Sequence, residues 1–148
     1  MRRPAVVTAI ALGGFFFVGI SLFLARGLSA TSNERSEVVE VLEAQARGDA
    51  DAVLSHLPEC RAVAACVSSV RARTPRLRKA GNIEVLTYDP SVQLAITEQR
   101  ATGRVAWRIG AGLPIVQCVR VLRRGAMQGA EVELISISPP IGREAPCA

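Results

Sequence analysis

His56 is the only histidine in this 148-residue chain, and Cys60 follows it four positions later. At that spacing the two side chains can share one helical turn, as a thiolate–imidazole nucleophile requires. A metal centre would need two or three further ligands at suitable spacing, and none stands near His56 in the sequence. In a chain bound for an oxidising compartment, Cys60 would be consumed in a disulfide, leaving His56 as a surface or helix-packing residue. Glu131 and Glu133 resemble a paired-carboxylate set, but strand alternation turns both outward to solvent. The expectation is a chain with no catalytic residue, no metal site and no cofactor.

The cysteines Cys60, Cys66, Cys118 and Cys147 are even in number and lack the C-x-x-C redox spacing. In an exported domain they read as structural disulfides. Within one uninterrupted helix Cys60 and Cys66 would lie ~9 Å apart along the axis and ~120° apart around it. A disulfide needs Cα atoms within about 7 Å, so these two pair only if the chain breaks after Pro58. The preferred pairing is Cys60–Cys66 with Cys118–Cys147; the other two connectivities stay open. Within that pairing, the tail after Pro139 is expected to fold back beside Cys118.

Two further groups could bind ligands. Tyr88, Trp107 and Gln117 could line a pocket, although Trp107 shares a strand face with Val105 and Ile109, which favours core packing. Arg71, Arg73, Arg76, Arg78 and Lys79 place five cations within nine residues. They could contact anionic headgroups or cell-wall polymers. The plainer reading is a solvated helix end whose cations complement the helix dipole. Export and the lack of aromatic interleaving argue against nucleic acid.

The elements that must position these residues follow an uncharged stretch, Pro4–Ala25. As a helix, Ala5–Leu24 would be roughly 30 Å long, the thickness of a hydrocarbon core. Arg2 and Arg3 precede it, and this charge bias keeps the N-terminus cytoplasmic. The expectation is a single-pass signal anchor over 1–27, with the rest of the chain outside the cytoplasm. Cleavage near Ala25-Arg26-Gly27, giving a secreted domain, is the alternative. Net charge is +5 and pI ≈ 9.7, with Lys79 the only lysine among 18 basic residues. This arginine bias is not taken as a binding signal.

After a spacer at 28–33, Thr31 and Glu34 form a capping-box signature. A helix is expected from about Glu34 to Arg47, with Val38, Val41, Leu42 and Gln45 on one face. Gly48 should end it, and Asp49 should cap a short helix to Leu57. A third helix should run from the Pro58 break to about Arg73, stopped by Thr74-Pro75. Five strands are expected next: Ile83–Val85, Val92–Thr97, Val105–Ile109, Ile115–Leu122 and Val132–Leu134, with Gln99–Gly103 as a loop. Both faces of Ile115–Leu122 are largely apolar, so both should be covered. Helices followed by consecutive strands mean an α+β fold with an antiparallel meander.

This element order resembles the NTF2-like, or cystatin-like, group, in which helices pack into a curved sheet, or cone. The resemblance spans 34–138 and rests on the Glu34–Arg47 helix, Gly48-Asp49-Ala50, Val105-Ala106-Trp107-Arg108, Pro114–Val119 and Val132–Ser138. It also extends to small membrane-anchored bacterial ectodomains of unknown function. No catalytic motif of the NTF2-like enzymes maps onto the chain. The expected function is therefore a membrane-anchored, non-catalytic binding or scaffolding module with a protein partner at the cell envelope. The alternative is a small-molecule-binding or enzymatic domain with a pocket in the cone.

Overall fold

The computed structural model describes residues 3–90, 98–124 and 131–147, with the side chains of 3–11 and 23–31 outside the description. Four helices precede four strands: α1 (Arg3–Arg47), α2 (Ala50–Ser55), α3 (Pro58–Arg61), α4 (Ala64–Leu77), β1 (Ile83–Asp89), β2 (Gln99–Ile109), β3 (Ile115–Arg124) and β4 (Glu131–Ile137). The strands form one antiparallel sheet in the order β1-β2-β3-β4.

The N-terminal expectation needs correcting. Among the described residues no helix is long and apolar enough to cross a membrane. Of the side chains described in the N-terminal part of α1, Leu12, Phe15, Phe16, Phe17, Val18, Ile20 and Leu22 are exposed. The spacer is not a break either, because α1 runs through 28–33 into the domain. A propagating helix gains one hydrogen bond for each residue fixed, so a short polar stretch without proline does not stop it. Thr31 is accordingly mid-helix, not a cap.

Gly48 does end α1. Its φ is +74°, and the amides of Gly48 and Asp49 close onto the carbonyls of Gln45 and Ala44 at 3.0 Å each, a Schellman termination. Asp49 then caps α2, its carboxylate accepting from the Ala52 amide at 2.9 Å. Pro58 opens α3, and the chain breaks again before α4. Pro75 sits inside the last turn of α4, which continues to Leu77 instead of stopping at Arg73.

Among the described residues the sheet has four strands; the expected strand at Val92–Thr97 lies within 91–97, outside the described residues. Gln99–Gly103 is strand, not loop, because it pairs with β3 from Gln99↔Arg123 to Gly103↔Val119. A four-stranded meander covered by helices is a common α+β arrangement and does not single out the NTF2-like cone. The helix-facing side of the sheet carries Ala101, Val105, Trp107 and Ile109 of β2, Val119 and Val121 of β3, and Leu134 and Ile137 of β4. These pack in one core with Val38, Val41 and Leu42 of α1, Val53 and Leu54 of α2, Cys60 of α3 and Val70 of α4. Burying each such aliphatic side chain contributes roughly 1.5–3 kcal/mol.

Two β-bulges adjust this face. In β1 the register shifts between Val85 and Thr87. Strict alternation from Ile83 and Val85 would point Tyr88 outward; the extra residue brings it opposite Val105, on the core side. In β4 a second shift leaves Leu134 and Ile137, three apart, both facing the core.

Beyond β4 the chain stays paired along β3, the Ser138 and Ile141 amides donating to the carbonyls of Cys118 and Val116, each at 2.8 Å, and the tail then covers the far side. Arg104 donates to the Ala145 carbonyl at 3.1 Å. Cys147 is disulfide-bonded to Cys118 with Cα atoms 5.6 Å apart. Cys60 and Cys66 form the other disulfide, Cα atoms 5.4 Å apart, across the break between α3 and α4. The 29-residue separation of Cys118 and Cys147 corresponds to about 3.6 kcal/mol by the chain-entropy relation. Cys147→Ser should therefore destabilise the domain by up to that amount, read as a lowered urea midpoint. Cys118 should then react with a thiol probe; an unreactive Cys118 and an unchanged midpoint would refute this account of the tail.

Candidate functional site

Trp107 and Gln117 are brought together, but inside the core. Both are fully buried. Trp107 Nε1 donates to Gln117 Oε1 at 2.8 Å, and Gln117 Nε2 donates to the Ser138 carbonyl at 2.8 Å. The two polar groups considered for a ligand satisfy each other instead.

Tyr88, the third expected pocket residue, belongs to a different cluster. Its hydroxyl donates to Glu34 Oε1, while Arg123 grips Glu34 Oε2, with Nε at 2.9 Å and Nη2 as a second donor. Glu34 is 0 % exposed. A buried carboxylate is tolerated only when paired and hydrogen-bonded, and α1, β1 and β3 each supply one member of this set. Burial, then the hydrogen bond and charge of Glu34, push the Tyr88 pKa well above the usual 10.0; Arg123 pulls partly back. The sequence pointed to Glu34 only as a capping residue.

The five cations of the Arg71–Lys79 segment do not act as one patch. Arg71 pairs with Asp51 at 3.2 Å. Arg73 turns inward and donates to the Ile137 carbonyl, and burial lowers its pKa. Arg76 is exposed near the end of α4. Arg78 and Lys79 instead enter a groove of ≈ 720 Å³, lined also by Glu43, Ala46, Arg47, Asn82 and Ile83. The Lys79 amide bonds the Ala46 carbonyl at 3.2 Å, which fixes the segment against the end of α1. Gly48 makes the approach possible, since a Cβ there would lie 3.0 Å from Arg78 Cβ. Arg47 joins from α1, with Glu43 3.8 Å away as the groove's one carboxylate. Three cations thus face one anion, and Arg47 was missed because it is remote in sequence from the basic run.

His56 also has neighbours that its flanking sequence does not supply. The helical hairpin turned by Gly48 and Asp49 places it beside α1, with Nδ1 3.3 Å from Glu37 and Nε2 3.8 Å from Glu40. The i,i+3 spacing of these carboxylates, followed by a glycine turn and a lone histidine, was the available signal. The cysteines are in disulfides and offer no thiolate to His56.

No family model matches the chain, and no curated protein or solved structure is significantly similar to it.

The Glu34 cluster yields two expectations. Arg123→Met should cost roughly 3–5 kcal/mol, because it strips the cation from a buried carboxylate; a change below 1 kcal/mol in urea unfolding would contradict this. Tyr88 is the only tyrosine, so tyrosinate absorbance reports it alone. Its folded pKa lies above the unfolded value. The stability it confers is therefore complete below pH ~10 and lost as pH rises beyond that. Tyrosinate should appear together with alkaline unfolding, and Tyr88→Phe should flatten the stability loss above pH ~10. Tyrosinate forming at pH ~10 in a folded chain would contradict it.

Proposed function

We propose that the chain is a non-catalytic binding or scaffolding module of an oxidising, extracytoplasmic compartment, and that it engages an anionic partner at the cell envelope. The observation that carries this reading is the groove lined by Arg47, Arg78 and Lys79 together with a single carboxylate, Glu43. Cationic clefts attract anions at long range and hold them loosely enough for exchange. Two disulfides suit an oxidising compartment. The mutual saturation of Trp107 and Gln117 favours binding over chemistry in the core.

The groove's position narrows the partner. It lies at the C-terminal end of α1, while the exposed apolar stretch Leu12–Leu22 lies towards the other end. From Leu22 to Arg47 the helix advances ~38 Å, several Debye lengths at physiological salt. A surface that received the apolar stretch would therefore not present its own charges to the groove. An extended phosphate- or carboxylate-bearing polymer fits the groove better than lipid headgroups.

Inorganic polyphosphate should bind the oxidised chain at low ionic strength, weakening steeply as NaCl is raised, and neutral dextran should not bind. Arg78→Glu combined with Lys79→Glu should weaken binding at least roughly tenfold, a loss of about 1.4 kcal/mol. Arg71→Glu, outside the groove, should have little effect. Equal losses in both variants, or no binding at low salt, would overturn the reading.

A further inference from the structure

We propose that Glu37, Glu40 and His56 form a binding site for a divalent transition-metal ion of the zinc type. One ligand atom from each of the three lies within 4.8 Å of the others. Ligands around a tetrahedral ion with bonds of ~2.1 Å stand ~3.4 Å apart. The Glu37–His56 distance of 3.3 Å already matches. Nδ1 faces Glu37 and Nε2 faces Glu40, so an ion at Nδ1 requires the Glu40 carboxylate to swing round the ring edge. Glu40 is the most exposed of the three side chains, at 59 %, and is free to rotate. His56 is the least exposed, at 25 %, and anchors the set.

The scaffold is suitably fixed. Both carboxylates sit one helical turn apart on α1, and His56 is the C-cap residue of α2. The hairpin between them is held by the Schellman bonds of Gly48 and Asp49 and by the Asp49 cap. One imidazole nitrogen and two carboxylate oxygens favour zinc, nickel or copper over magnesium or calcium, which prefer oxygen alone. Three protein ligands leave a fourth position for water or for a donor from a partner, as in open zinc sites. Competing ligands are few: His56 is the only histidine, and all four cysteines are in disulfides.

Calorimetric titration of the full oxidised chain with Zn²⁺ tests the site, with Mg²⁺ as the comparison. One Zn²⁺ should bind per chain, and thermal unfolding should shift upward, since the ion ties α2 to α1. Glu40→Gln is nearly isosteric at an exposed position and should weaken Zn²⁺ binding roughly tenfold or more without altering the fold; His56→Ala should abolish it. Cu²⁺ loaded in place of zinc should show a single coordinating nitrogen by electron paramagnetic resonance. Zn²⁺ binding unchanged in both variants, Mg²⁺ binding as tightly as Zn²⁺, a copper signal without nitrogen, or no Zn²⁺ binding would each overturn the proposal.

Discussion

A carboxylate with no access to water sets the terms for this domain. Glu34 sits on α1 where the helix first meets the sheet. Leaving such a charge unpaired would cost several kcal/mol, so the fold must deliver partners to it. Arg123 arrives from the end of β3 and Tyr88 from the end of β1. The helix, the first strand and the third strand are thereby held in one register. A hydrophobic core alone would tolerate sliding, because apolar burial is non-directional; a hydrogen-bonded ion pair does not.

The bulge in β1 has its clearest rationale here. Without the extra residue, Tyr88 would face away from Glu34, and one oxygen of the buried carboxylate would lose its donor. The local ladder is disturbed so that a polar group inside can be satisfied. On the opposite face of the sheet, covalent chemistry does comparable work. The Cys118–Cys147 bond and the Ser138 and Ile141 amides keep the proline-bearing tail on β3. A central strand with apolar residues on both faces is thus covered by helices on one side and by a disulfide-held tail on the other.

The functional candidates lie away from this core, at the two ends of one helical hairpin. Near its turn, the end of α1 and the chain leaving α4 gather three cations around a groove. Further back, α1 and the end of α2 hold an imidazole between two carboxylates. Neither place requires a mobile loop. The imidazole–carboxylate set lies on helix surfaces and the groove between the end of α1 and the coil after α4; both depend on the turn at Gly48, whose φ of +74° few other residues adopt without strain.

Local rules made much of the architecture legible. Gly48 and Asp49 mark a helix end and a helix start through their own backbone and side-chain chemistry, and period-two alternation marks four strands. The proline break after Leu57 and the need to cover the Cys118 face favoured one disulfide pairing, and the structure has that one. What the sequence could not show depended on partners distant along the chain. Residues 99–103 looked like a loop because their strand character comes from pairing with β3. Residues 28–33 looked like a spacer because local propensity does not register a helix already propagating. Glu34 looked like a cap because its ligands are 54 and 89 positions away. Arg47 and Glu37 looked like ordinary solvated charges until the hairpin set them beside Arg78 and His56. Sequence alone determined the turn at Gly48-Asp49, the order of helices before strands and which strand faces are apolar. Only the tertiary structure decided which charges are buried, which converge and which stay in water, because electrostatic energy depends on distance through space and on exclusion of solvent, and neither is a property of local sequence.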